Sequence, residues 1–331
     1  MNKQGMAPMK LASLAALALL AGATLTPAAA QTEKVRVLLD WGWLPYHSSF
    51  FLAQERGYFK EAGVEAEIEQ GRGSNTTAIL VGQRSFDLGH LNVTNAAAAI
   101  AKGVPLKVIA VYQHRSSASF IGIKGRVKLD GPESLKGLKI GSTPGGSDGL
   151  SLSIFRRSNN IPDNALNVIS LDASAKTAGL LTNQVDVVSG DSHAYQAIVR
   201  GAGHEPVAME LASFGVPLLG FGFATNETFL KERPKAAKAF LAAAKRGFAD
   251  AVADPEGACN LIRSKVQVAG NLAQCVDYLT GLQKLSQSPT DPNWGRSTDA
   301  EWEALISTLR GVGEIQSTKA ASTYFTNELV P

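Results

Sequence analysis

The stretch LLDWGWLPYHSSFFLAQERGYFKEAG, residues 38–63, begins as a buried strand and ends as an amphipathic helix. The strand starts upstream, at VRVLLD from Val35, and apolar residues at three- and four-residue spacing predict a helix from Ser48 to Lys60. Between them stand Trp41, Trp43, Tyr46 and His47, at the carboxyl end of the strand. In open α/β sheets that is where ligands bind. Large aromatic side chains there offer a surface on which a flat ring can stack, although one of the two tryptophans could instead fill the core.

Outward from this stretch the same alternation repeats. Strands are predicted at VEAEIEQ from Val64, FDLGHL from Phe86, LKVIAVY from Leu106, SFIGIK from Ser119, LKIGST from Leu138, LNVISL from Leu166 and VDVVSG from Val185. Helices are predicted at 76–82, 95–102, 149–158, 173–183 and 194–200, and the chain is mostly helical after Pro234. Short strands alternating with helices specify an α/β protein with largely parallel sheets. The units GQRSFDLGHLNVTNAAAAIAKGVPLKVIAVY and NQVDVVSGDSHAYQAIVRGAG read alike, each a strand containing Asp, a polar turn and a helix of small residues. Two similar lobes follow. GIKG and LLGFGFA read as strands crossing between them, so lobe one is expected over 31–121 plus 222–331 and lobe two over 122–221.

Lys3 and Lys10 precede an apolar run from Leu11 to Ala21 and then TLTPAAAQ, which reads as a cleavable secretory signal over 1–30, with export to the periplasm. Without it the 32 basic residues become 30, against 29 acidic ones. Near-neutral charge with no basic stripe speaks against nucleic acid or an anionic membrane surface as partner. Two cysteines, Cys259 and Cys275, fall in the C-terminal helical region, and an oxidising compartment favours a disulfide between them.

Four further segments have the form of a strand end leading into a helix: GRGSNTTA from Gly71, LNVTNAAA from Leu91, GSTPGGSDGL from Gly141 and SGDSHAYQ from Ser189. Each brings Ser, Thr, Asn or Asp to a helix start, where hydroxyls and free N–H groups can meet a small polar ligand. Helix capping alone would explain any one of them. GSTPGGSDG lacks the lysine of a nucleotide loop, no G-x-S-x-G elbow occurs, and no two of the five histidines have metal-ligand spacing within a helix. No cofactor or metal is therefore expected.

DWGWLPYHSSFFLAQERGYFKEAGVEAEI, followed by LVGQRSFDLGHLNVTNAAAAIAKGVPLKVIA and SLKGLKIGSTPGG, resembles the periplasmic substrate-binding proteins of ABC importers. The branch it resembles is shared by thiamine-pyrimidine-binding proteins and the eukaryotic pyrimidine synthases, with sulfonate-, taurine- and nitrate-binding proteins as wider relatives. The resemblance implies a type II two-lobed binding fold with ligand in the cleft, working as a monomer with a permease and its ATPase and touching the membrane only through them. It implies that Trp41, Trp43, Tyr46 and His47 line one wall. Ser74, Asn75, Thr76, Asn92 and Thr94 would present polar atoms from lobe one. Gly145, Gly146, Ser147, Asp191 and His193 would act from lobe two, with Phe221 and Phe223 at the crossing. Asp191 is the expected partner of ring amino groups. The alternatives are a sulfonate, nitrate or aromatic carboxylate as ligand, with Arg72 or Arg115 as its cation, or a pyrimidine synthase-like enzyme, although the chain lacks the cysteine-rich iron motif of those synthases.

Overall fold

The computed structural model describes residues 32–331, and the expected leader lies outside them. Alternating burial along β1 (Glu33–Leu38) inserts Val35 and Val37 into the core and leaves Glu33, Lys34 and Arg36 outside. β1 pairs in parallel with β2 (Val64–Glu69) and β3 (Leu88–Asn92). Between them run α1 (Ser48–Glu55), α2 (Tyr58–Glu61) and α3 (Ser74–Gly82), with α4 (Val93–Ala101) leading to β4 (Leu106–Val111). The single helix expected from Ser48 to Lys60 is two, because Gly57 adopts φ 73°, a left-handed conformation that ends a helix and is open to glycine.

After β4 the chain crosses to a second sheet built from β5 (Ala118–Ile123), β6 (Lys139–Ser142), β7 (Asn167–Ser170), β8 (Val187–Asp191) and β9 (Pro206–Glu210). It carries α5 (Ser147–Ser158), α6 (Ala173–Leu181) and α7 (Ser192–Gly201), and the chain then returns as β10 (Phe221–Asn226). The strand orders are β2-β1-β3-β10-β4 and β7-β6-β8-β5-β9. In each sheet one strand runs against the rest, β10 in the first and β5 in the second, and each is the first strand made after a crossing.

β5 belongs to the second sheet, so the boundary expected after residue 121 lies earlier, in Tyr112–Ser117. The two crossing segments run side by side: Gly220 N–H donates to the Gln113 carbonyl (2.9 Å) and Ser116 N–H to that of Leu218 (2.8 Å). The final part is helical, α8 (Glu227–Glu232), α9 (Pro234–Ala253), α10 (Pro255–Lys265), α11 (Leu272–Gln283) and α12 (Asp299–Gly311). Cys259 and Cys275 form a disulfide that ties α10 to α11. α11 touches both halves of the molecule: it packs on α7 of lobe two, and Tyr278 meets Tyr46 of lobe one edge-on at 5.8 Å. None of the helices among the described residues is long and apolar enough to cross a membrane.

Candidate functional site

The aromatic stretch after β1 is organised by a buried carboxylate. Asp40 accepts hydrogen bonds from the Tyr46 hydroxyl on Oδ2 (2.6 Å) and from His47 Nε2 (3.0 Å) and His90 Nδ1 (2.8 Å) on Oδ1. The Leu44 amide donates to His47 Nδ1 (3.1 Å), which places the imidazole proton on Nε2, facing Asp40. His90 Nε2 in turn meets the Tyr112 hydroxyl at 2.7 Å. Burial pushes the Asp40 carboxyl upward, but the hydrogen bonds and charge attraction from His47 and His90 outweigh it, so the group titrates well below the ordinary carboxylate range. Burial holds His47 below its ordinary value and therefore neutral near pH 7. Asp40, His47 and His90 bring donor atoms of metal-ligating type within 4.8 Å of one another, yet all three are buried and already joined by these hydrogen bonds. They act as a brace for the loop that carries Trp41 and Trp43.

That loop is tied to the segment before α3, where Gly71 N–H donates to the Trp41 carbonyl (3.0 Å) and Gly73 N–H to that of Asp40 (2.8 Å). Trp43 is half-buried and meets Phe51 edge-on at 5.3 Å; Trp41 is half-buried too and has no ring partner among the described residues. Gly73 lies at φ 126°, and a Cβ built there would come 2.7 Å from the Gly145 carbonyl oxygen. The two lobes therefore touch through glycines. Beside this contact is a cavity of about 200 Å³, lined from lobe one by Asn75, Asn95 and Lys102 and from lobe two by Gly145, Gly146 and Gly149, with Glu314 at its edge. Asn95 is 3% exposed and its side-chain oxygen has no partner. α5 begins here with Gly146 as N-cap and no capping side chain, which leaves first-turn amides open to a ligand.

Behind the lobe-two loop sits an ion pair that the sequence did not signal. Asp148 Oδ2 accepts from Thr143 N–H (2.8 Å), the Ser142 hydroxyl (3.2 Å) and Lys176 Nζ (2.7 Å), and Lys176 also donates to the Ser189 carbonyl (2.9 Å). Lys176 is 4% exposed. This cluster fixes Ser142–Ser147 against the second sheet, with Lys102 and Arg157 converging on Glu314 from opposite lobes (2.7 and 3.3 Å).

The residues singled out by sequence fall into distinct places. Asn75, Gly145 and Gly146 meet at the cavity. Trp41, Trp43 and Thr76 are half-buried and do not line that cavity, and Ser147 opens α5. Asn92 caps α4 through Thr94 N–H (3.0 Å), Ser74 accepts from Asn92 N–H (3.0 Å), and Thr94 donates to the Leu219 carbonyl (2.9 Å), so all three already serve lobe one internally. Asp191 caps α7 through Ala194 N–H (2.8 Å) and accepts from Ser117; burial lifts its carboxyl above the ordinary range against the pull of those bonds. The His193 ring lies against Gly281 of α11. Tyr46 and His47 are spent in the Asp40 network. Phe223 is fully buried, and contacts with Phe50 and His90 place it in the lobe-one core with no surface for a ligand; Phe221 stacks on His90 at 5.3 Å. Arg72 is exposed and Arg115 pairs with Glu210 on the surface. Asn95 lies within the LNVTNAAA helix start but was not singled out there as Asn92 and Thr94 were, and Lys102 and Lys176 sit in helical patterns with nothing local to mark them.

A family model described as NMT1/THI5 like matches residues 44–258. The chain is 26% identical over 255 residues, 68% of its length and 69% of the relative's, to 4-amino-5-hydroxymethyl-2-methylpyrimidine phosphate synthase of Uromyces fabae. It is 24% identical over 285 residues, 84% of each chain, to the formylaminopyrimidine-binding protein of Halalkalibacterium halodurans. Matches to the yeast synthases span about a third of those proteins. Among solved structures, the alkanesulfonate-binding protein SsuA of Xanthomonas axonopodis pv. citri, bound to MOPS, superimposes with a TM-score of 0.68 at 14% identity, over 88% of this chain and 98% of that one.

Proposed function

The chain belongs to the NMT1/THI5-like family and has the two-lobed α/β fold of periplasmic binding proteins, and from that premise we propose that it is the extracytoplasmic solute-binding component of an ABC importer. Its ligand is a small planar heterocycle of the thiamine-pyrimidine type, held between the lobes and handed to a permease with its ATPase. The observation that carries this reading is the polar cavity between lobes, bounded by Asn75 and Asn95 on one side and Gly145 and Gly146 on the other.

A site with contacts from both lobes favours the closed form, since a ligand shifts a conformational equilibrium only by its differential affinity for the two states. In this reading Trp41 and Trp43 offer stacking surface, the Asn95 side-chain oxygen accepts from a ligand N–H or O–H, the α5 amides donate to ring heteroatoms, and the Asp191 carboxylate takes a ring amino group. The protein acts as a monomer, with no cofactor and no catalytic residue. That the Asp40–His47–His90 cluster is closed upon its own hydrogen bonds supports a binding role over a synthase role. The open amides of α5 favour a second ligand class, an anion such as a sulfonate, nitrate or aromatic carboxylate.

The test is a thermal-shift screen of the purified protein against hydroxymethyl- and formylamino-pyrimidines, thiamine, taurine, alkanesulfonates, nitrate and phthalate, because a ligand of the folded state raises Tm. Saturable shifts by pyrimidines that weaken in Asn95→Ala support the proposal. Shifts by sulfonates or carboxylates alone transfer the specificity to α5, and no shift by any of them refutes both readings.

A further inference from the structure

We propose that lobe one contains a second small-molecule site, sharing no lining residue with the cavity between the lobes, that accepts a single aromatic ring bearing one hydrogen-bonding substituent. The site is a cavity of about 140 Å³ between α1, α9, α11 and the loop over 286–289. Its walls are mostly apolar, with the rings of Tyr46, Tyr112 and Phe248 and with Leu279 and Leu282 from α11, while Gln283, Ser286, Gln287 and Ser288 form a polar edge. It draws no residue from lobe two and none from the α3, α4 and α5 termini that border the cleft.

Two features suggest an occupant. A benzene-sized guest occupies a cavity of about 150 Å³, so the volume here fits one ring. Ser49, at 1% exposure, lines this space beside Gln283, Ser286, Gln287 and Ser288, and its hydroxyl makes no side-chain hydrogen bond among the described residues. A hydroxyl that faces the cavity without a protein partner is free to pair with a ligand, and a phenolic substituent would meet it as donor or acceptor.

The floor is also preorganised. Tyr46 and Tyr112 cannot swing away, because the hydroxyl of one is held by Asp40 and that of the other by His90. Leu279 and Leu282 lie on α11, which packs on α7 and carries Asp277, the partner of Arg200 (2.8 Å). A ring seated here would therefore brace the helix that touches both lobes.

The experiment uses the full-length mature protein with phenol as probe, read by calorimetric titration and by Tm, together with crystals soaked in 4-bromophenol and located by bromine anomalous signal. Saturable phenol binding is expected, with a bromine peak between Phe248 and Leu279. Leu279→Phe, which fills the cavity, should abolish binding, and Ser49→Ala should weaken it several-fold while leaving toluene binding unchanged. Cleft-ligand affinity in Ser49→Ala should stay at the wild-type value. Absence of saturable binding to the wild type, or a bromine peak only in the cleft, overturns the proposal. The soaked crystal decides the matter even where Leu279→Phe fails to fold.

Discussion

Replacing Asp40 by Asn tests whether the loop carrying the tryptophans is held by a buried charge or merely by shape. The carboxylate accepts three hydrogen bonds, from Tyr46, His47 and His90. Hydrogen bonds to a charged group contribute about 1.5–3 kcal/mol each against about 1 for neutral pairs, so removing the charge forfeits roughly 1 kcal/mol at each of three sites. The new amide also turns a donor toward the Tyr46 hydroxyl. Relief of the buried charge offsets part of this, leaving an expected loss of about 2–3 kcal/mol and a fall in Tm of roughly 3–5 °C for a chain of this size.

The pH dependence sharpens the test. Asp40 has a folded-state pKa below its ordinary 3.8, so its contribution is complete above that pH and is lost as pH falls further. His47, held below 6.5, refuses a proton that the unfolded chain accepts, so wild type and variant both weaken below pH 6.5. Urea denaturation should therefore show the full gap at about pH 7 and a smaller one toward pH 2–3. Equal stability at neutral pH, or a gap that does not shrink in acid, refutes the account.

Gly73→Ala places a methyl group within 2.7 Å of the Gly145 carbonyl at a φ of 126°, and should weaken cleft-ligand affinity at least tenfold by opposing lobe contact, as measured by titration and by a larger radius in solution scattering with ligand. Lys176→Met leaves Asp148 buried and unpaired and should cost about 3–5 kcal/mol in denaturant titrations, most of it recovered in the double variant with Asp148→Asn. Replacing both Cys259 and Cys275 by Ser opens a loop of sequence separation 16 and should cost about 3 kcal/mol, with reductant producing the same fall in Tm for the wild type and none for the variant. Glu314→Gln removes the anion shared by Lys102 and Arg157 across the lobes and should speed ligand release severalfold in stopped-flow measurements, less so at high salt where the pair is already screened.

What was legible in the sequence is what rests on local pattern. Eight strands read from β-branched runs are strands of the structure, since period-two burial is written into residues such as Val35 and Val37. PVAME escaped because it is an edge strand that starts on Pro206, tolerated there because nothing pairs beyond it. The lobe boundary was misplaced for a related reason. GIKG carries glycine and β character, whereas the true crossing over 112–117 is polar and is defined only by its bonds to Gly220 and Leu218 on the returning segment.

The site divides in the same way. Turn and cap chemistry marked the segments GRGSNTTA and GSTPGGSDGL, and the family resemblance named Asn75, Gly145 and Gly146 within them, because glycine and helix-start residues announce themselves locally. Asp40 looked like the polite end of a strand, and nothing near it announces that its partner His90 lies 50 residues on. Lys176 reads as a solvated lysine on a helix until Asp148, 28 residues earlier, is brought beneath it. A buried charge is stable only when folding delivers its partner, so the groups that brace this cleft carry their meaning in pairs distant along the chain. Asn95 makes the point most sharply: in sequence it is one of several polar residues where an alanine-rich helix begins, and only the approach of α5 from the other lobe makes its unpaired side-chain oxygen part of a cavity wall.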